Sequence, residues 1–283
     1  MLRGKFMGSI PLPQSHALTD RESWRTLFKP RLDPDHPERW PADWDARVAR
    51  WRDPARAVPA AVPGGSLYGW LRNWMGMEQV SYVLYDDPAW FGEMVETCAD
   101  CIIGTLTRIL ETGATFEVRH VGRHGPQRGS AHQPHFKQYS VPQYRRITDL
   151  LHRYGVDVVW LDCDGNIDLL IPLWLDAAST ACSRWRWAPG GQTRIKLRQQ
   201  YGRDLLIMGG FDKHILAQGK AEIEAECAAG AAGGRGRGYI GFCDHRTART
   251  CRTPTIPLPR LRAHHLGPRH QPQTTAIHLA TII

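Results

Sequence analysis

Three places in this 283-residue sequence carry ionisable side chains just past the end of an apolar run. VDVVWLD (156–162) continues into Cys163, Asp164 and Gly165. Asp162 and Asp164 stand two apart, a spacing that on an extended backbone points both carboxylates the same way, so they could clamp one cation. RDLLIMGG (203–210) is followed by Phe211, Asp212 and Lys213, and Gly209 and Gly210 leave room for a ligand to approach the backbone. YIGFC (239–243) is followed by Asp244 and His245. Near-continuous apolar runs read as strands buried on both faces of a parallel sheet, and in parallel α/β proteins function concentrates where strands end. Each acid alone has a plainer reading. Asp164 can be the N-cap of the next helix, and Lys213 can simply pair with Asp212. Three such ends in succession are more specific. GGSLYGWLRNWMG (64–76) offers Tyr68, Trp70 and Arg72 either as a pocket wall or as a packed turn. Cys98 and Cys101 form a CxxC, but on an amphipathic helix they read as core rather than as a metal or redox pair.

The elements that must position these residues alternate. Asp87-Pro88 predicts an N-cap followed by proline at the first helical position. Trp90, Met94, Val95, Cys98, Ile102, Leu106, Ile109 and Leu110 then share a face, and Gly113 closes the helix. ATFEV (114–118) reads as a strand, and Tyr144, Ile147, Leu150, Leu151 and Tyr154 as a second helical face stopped by Gly155. Further helices are expected from near Ile167, over 193–201 and over 218–226. Helix and strand in alternation argue for α/β, and repeated βα units for a barrel or an open sheet. A doubly wound dinucleotide fold is disfavoured, since no strand is followed by GxGxxG.

Composition excludes some classes. At 42% hydrophobic residues, the chain can bury a substantial core. No run approaches a membrane span, and MLRGKFMGSIPLPQ lacks the apolar centre of a secretory signal. Seven cysteines without framework spacing fit a reducing cytosol, so a cytoplasmic protein without membrane association is expected. The net charge of +8 would suggest nucleic acid, but it is unevenly placed. Stretches 119–136, 179–194, 227–238 and 246–283 hold 14 arginines and no lysine, aspartate or glutamate. The other 199 residues carry 22 basic and 28 acidic side chains. No aromatic interleaving accompanies these arginines, so no nucleic-acid partner is expected.

TDRESW, YDDPAWFGEMVET, VPQYRRITDLL, DGNIDLLIPLWLDA, GGFDKHILAQGKAEIEAE and GYIGFCDH, in this order, resemble the uroporphyrinogen decarboxylase family. More narrowly, they are similar to its decarboxylase-like branch related to cobalamin-linked methyltransferases. The likeness covers most of 19–118, 137–178, 195–226 and 239–246. It implies a (β/α)8 TIM barrel with its site at the C-terminal mouth, here expected as a single domain over 1–246. The arginine-rich stretches interrupt the likeness. Written in permitted codons and read one base later, RHVGRHGPQRGSAHQP (119–134) gives AMWEDMAPNAGPLIS, where that branch has a WEDMA…GPLISP motif. Two bases in, ASTACSRWRW (178–187) gives EYSLFPLEV, and TARTCRTPTIP (247–257) gives RPDVPYANYP, again as the branch expects. Local frameshifts in a GC-rich gene are therefore expected. On this reading 247–283 is a disordered out-of-frame tail, and the barrel is incomplete, without its opening strand, the arginine-rich substrate motif there, or its final helix.

The resemblance implies decarboxylase-type chemistry on a tetrapyrrole-like or other acidic small molecule. Asp162, Asp164, Asp212 and Lys213 are the candidates for catalysis, and Tyr68, Trp70, Arg72, Gly209 and Gly210 for substrate binding. The alternative is metal-dependent methyl transfer with a corrinoid protein as partner. The methyltransferase relatives bind zinc through a His-x-Cys pair and a later Cys, and here Asp162, Asp164 and His245 stand at those positions. That donor set is harder, suited to Zn, Mn or Fe. A third reading is a decayed gene product with no activity. Relatives are often homodimers, so a homodimer is a further expectation.

Overall fold

A computed structural model describes residues 15–55, 61–62, 65–116, 118–121, 133–162, 168–177, 181–185, 194–209, 211–212, 215, 218–233 and 238–240. The tail 247–283 lies outside them. Among the described residues, six strands form one sheet: β1 (Ala61–Val62), β2 (Val118–Val121), β3 (Val158–Asp162), β4 (Ala181–Trp185), β5 (Leu206–Gly209) and β6 (Tyr239–Ile240). Every neighbouring pair is parallel and the spatial order is the sequence order. That singly wound order is the arrangement of a barrel wall; a doubly wound sheet reverses direction part-way.

The helices are α1 (Arg21–Ser23), α2 (Trp44–Arg52), α3 (Tyr68–Met75), α4 (Met77–Asp86), α5 (Pro88–Leu110), α6 (Gln133–His135), α7 (Val141–Arg153), α8 (Ile171–Asp176), α9 (Arg194–Tyr201) and α10 (Lys220–Gly233). The longest, α5, forms as the sequence dictates. The Asp87 carboxylate accepts from the Trp90 amide at 3.2 Å, and Pro88 occupies the first turn, where no amide donor is needed. Eleven residues of α5 are buried, including the whole predicted stripe, and Gly113 at φ +74° turns the chain out of the helix. Its thiols, Cys98 and Cys101, are both buried, and burial pushes both up, so they pack as apolar groups. Helix α7 buries Tyr144, Ile147, Thr148, Leu150 and Leu151 and is stopped by Gly155 at φ +75°. The Thr148 hydroxyl donates to the Ala177 carbonyl at 2.8 Å, fastening α7 to the end of α8.

Three elements depart from the sequence reading. The strand expected over 114–118 begins only at Val118, because Phe116 turns into the core against Trp51, with centroids 5.7 Å apart. The helix expected from Ile167 starts at Ile171, after a turn over Asp168–Leu170 and with Pro172 near its N-terminus. Helix α10 runs on to Gly233 through alanines inside one of the arginine-rich stretches. Among the described residues, no helix is long and apolar enough to cross a membrane.

The N-terminal segment is tied to α5. Arg21 forks onto Asp87 with two 2.9 Å hydrogen bonds, and Lys29 and the Trp24 indole both donate to Glu93, at 2.7 and 3.3 Å. Gly104 sits inside α5 because Pro34 packs on it: a Cβ there would lie 2.6 Å from the proline Cγ. Gly104→Ala should therefore destabilise the protein, the overlap costing about 1–3 kcal/mol against about 1 kcal/mol gained in helix propensity. Urea unfolding of Gly104→Ala with and without Pro34→Ala checks this. The second change should restore the helix gain, and a stabilised single variant would refute the contact.

Candidate active site

The parallel sheet puts all six C-terminal strand ends on one edge. In register, Val121 lies opposite Leu161, Asp162 opposite Ser183 and Trp185 opposite Gly209. Asp162 is the last residue of β3 and so stands on this edge. Gly209 ends β5 at φ +97°, a conformation that favours glycine, and its carbonyl accepts the Tyr239 hydroxyl at 2.9 Å. Past it, Phe211 is buried and Asp212 is half-buried, with its carbonyl accepting from the Ile215 amide at 3.1 Å in a single turn. Asp164, Gly210, Lys213, Asp244 and His245 lie outside the described residues. Among the described residues, no three His, Cys, Asp or Glu side chains gather into a cation site.

Helix α3 follows β1, whose C-terminal end is on the same edge. Tyr68 is buried, its hydroxyl 3.5 Å from the Met77 sulfur, and burial pushes the phenol up. Trp70 stacks on Trp74 at 5.8 Å, and half-buried Arg72 donates to Asn73 at 3.3 Å. Tyr68 and Arg72, four apart, share one side of α3, whereas Trp70 points elsewhere. A chain of rings continues from Tyr68 through Phe91 (6.5 Å), Tyr139 (5.6 Å) and His135 (6.4 Å) to Tyr85 (4.7 Å). It joins α3, α5, the π-helical turn Phe136–Ser140, α6 and α4.

Sequence reasoning passed over Asp168 and Lys196. Asp168 lies in the connection from β3 to α8, and burial raises its carboxyl while the Lys196 charge opposes the rise. Lys196 is in the first turn of α9, which follows β4. The next backbone position to Asp168 is held by Gln133 of α6, whose amide donates to the Leu169 carbonyl at 3.0 Å. The connections after β2 and β3 thus meet here. The signal was present as a third acid in LDCDGNID, read only as part of a helix expected from near Ile167.

A singly wound parallel α/β domain with ionisable groups at its C-terminal strand ends is an enzyme-type fold. The family model for uroporphyrinogen decarboxylase (URO-D) matches residues 71–248, and the chain belongs to that family, which implies a TIM-barrel fold. Among solved structures it is similar to a methyltransferase from Methanosarcina mazei, at 14% identity and a TM-score of 0.56. That match covers 79% of this chain and 65% of the methyltransferase, so the chain spans just under two thirds of that protein. At this identity the likeness is one of fold. No curated protein matches the chain.

Proposed function

We propose that this protein is a decarboxylase-type carboxy-lyase acting on a tetrapyrrole-like or other acidic small molecule at the C-terminal mouth of the sheet. The observation that carries the reading is the single edge holding the ends of β3 and β5, with Asp162 and Gly209 on it and Asp212 shortly past it, within the span matched by the family. Decarboxylation needs cations to hold carboxylates and an acid to protonate the carbon that loses CO2. Arg72 and Lys213 are the cations and Asp162, Asp164 and Asp212 the acids, with Tyr68, Gly209 and Gly210 shaping the pocket; Trp70, stacked on Trp74, is left out of it. The test is incubation of the purified protein with uroporphyrinogen and smaller polycarboxylates, following CO2 release. Activity should fall by about 10²-fold or more in Asp212→Asn. No CO2 from any of these substrates would sink the reading.

The fold likeness to a methyltransferase favours a second reading, methyl transfer with a corrinoid protein as partner. Two carboxylates and an imidazole, from Asp162, Asp164 and His245, suit Zn, Mn or Fe, and such an ion would supply a Lewis acid. Stoichiometric metal lost in Asp162→Ala would favour this reading over the first. The absence of bound metal in the purified protein would remove it.

The frameshift reading gains support from the strand ends. In the shifted frame the Glu-Asp of WEDMA falls at codons 122–124, just past Val121 where β2 ends. The glutamate of FPLEV falls at codons 185–186, where β4 ends. Resequencing across codons 115–140, 176–196 and 225–283 tests it. If the shifts are real, the third reading, a decayed product, gains ground, and low solubility of the chain as written would support it further. A cooperative unfolding transition would count against decay.

A further inference from the structure

We propose that Met77 is a site of reversible oxidation by hydrogen peroxide, and that its sulfoxide fastens α4 to α3 through the Tyr68 hydroxyl. The modification stands apart from whichever reaction the strand ends carry out. Tyr68 and Met77 are the first residues of α3 and α4, and only Gly76, at φ +86°, separates the two helices. The Tyr68 hydroxyl donates to the Met77 sulfur at 3.5 Å, so one weak bond links the two helix starts. A thioether is a poor acceptor, and the hydroxyl that uses it is withdrawn from water, since Tyr68 is 4% exposed. Its other hydrogen-bonding neighbour is the Ser81 hydroxyl, which itself donates to the Met77 carbonyl at 2.8 Å. Met77 is 40% exposed, whereas Met75 and Met94 are buried at 3% and 0% and Met208 is half-buried. Among these four, peroxide therefore meets Met77 first. Arg72 is one turn on from Tyr68, and its carbonyl accepts the Gly76 amide at 2.9 Å, so the joint also sets where Arg72 stands. An effect on substrate binding through Arg72 rests on the reading above; the modification itself does not.

The step balances with peroxide as the oxidant. A sulfur lone pair attacks one peroxide oxygen, and the O–O bond breaks as the S–O bond forms. The departing hydroxide takes the proton of the transferred oxygen and leaves as water. Sulfur loses two electrons and peroxide gains them. The new oxygen is a strong acceptor on an unbranched, rotatable side chain, so it can turn to the Tyr68 hydroxyl, and an O–H···O bond replaces O–H···S. Thiol-dependent sulfoxide reduction reverses the change: two thiols become a disulfide and the oxygen leaves as water.

Treatment of the full chain with hydrogen peroxide tests both halves. Tandem mass spectrometry should find Met77 oxidised well before Met75, Met94 and Met208. The Val80 amide closes the first turn of α4 on the Gly76 carbonyl at 3.2 Å, and its hydrogen exchange should slow about threefold or more in the oxidised protein. A sulfoxide reductase with a thiol should restore the original rate. Met77→Gln sets an amide oxygen at similar reach and should slow Val80 exchange without peroxide, while Met77→Leu should abolish the peroxide response. Tyr68→Phe should still be oxidised at Met77 yet show no slowing. If that variant does not fold, Met77→Gln with Tyr68 intact decides the matter. Met77 oxidised no faster than Met75, Val80 exchange unchanged or faster in the oxidised parent, or equal slowing in Tyr68→Phe would each overturn the proposal. None of these readouts involves turnover, so such a failure leaves the decarboxylase reading standing.

Discussion

Phe91→Ala should lower the stability of the protein by about 3–5 kcal/mol, read from urea unfolding. Phe91 is 2% exposed and lies in the first turn of α5. Its ring stands edge-on to Tyr139 and tilted against Tyr68, so three separate elements lose their common contact when it is cut back. The surroundings offer little to fill the hole. Gly92 beside it is already in close approach to the Tyr139 ring, where a Cβ would lie 3.3 Å away. The same rings lead through His135 to Tyr85, so the variant should also loosen the contacts among α3, α4, α5 and α6. Tyr82→Ser is the control: Tyr82 is 54% exposed on α4, and its loss should change stability by less than about 0.5 kcal/mol. A Phe91→Ala variant losing under 1 kcal/mol, roughly the low end for any core change, would mean that the ring chain collapses onto itself and is not a strut.

The second large effect belongs to the opposite end of the sheet. Arg198 of α9 donates to the Gly202 carbonyl, to that of Leu205 at 3.2 Å and to that of Gly238 at 2.9 Å. These carbonyls lie at the turn out of α9 and at the starts of β5 and β6, so one guanidinium gathers three chain segments. Burial, with Arg203 nearby, lowers its proton affinity, yet arginine stays charged at any ordinary pH. Arg198→Met keeps the stem and strands three acceptors, a loss expected at about 2–3 kcal/mol. Lysine should recover less than half of it, because a single ammonium cannot fork to divergent carbonyls. The Ile207 amide, bonded to the Gly238 carbonyl at 2.9 Å, should be the first sheet amide to lose exchange protection. If exchange speeds up uniformly across the sheet, Arg198 is supporting the whole fold and not this corner.

The parts of the fold legible in the sequence are those where local signals agree. Asp87-Pro88, a clean apolar stripe and Gly113 bound α5 from both ends. β3 and β5 announce themselves as apolar runs. β4 carried no such signal: ACSRW lies within an arginine-rich stretch, and it is a strand because β3 and β5 present paired edges on either side. β2 was displaced for a related reason, Phe116 being drawn to the Trp51 ring before pairing with β3 could begin. At the site, Asp162 and Gly209 could be placed from the sequence because each ends a recognisable strand. Asp168 could not, since it lies in a turn past the end of β3 and its carboxyl is raised by burial that only the packed chain supplies.

The sequence-ordered sheet has a consequence for how the chain is made. Among the described residues, no strand waits for a partner more than about 60 residues away, and the entropy of closing such loops varies by only about 0.6 kcal/mol per doubling of length. As the polypeptide leaves the ribosome, each new strand meets an edge already waiting for it. A ribosome paused midway would hold a narrower version of the same sheet, correctly ordered, with one open edge ready for the next strand.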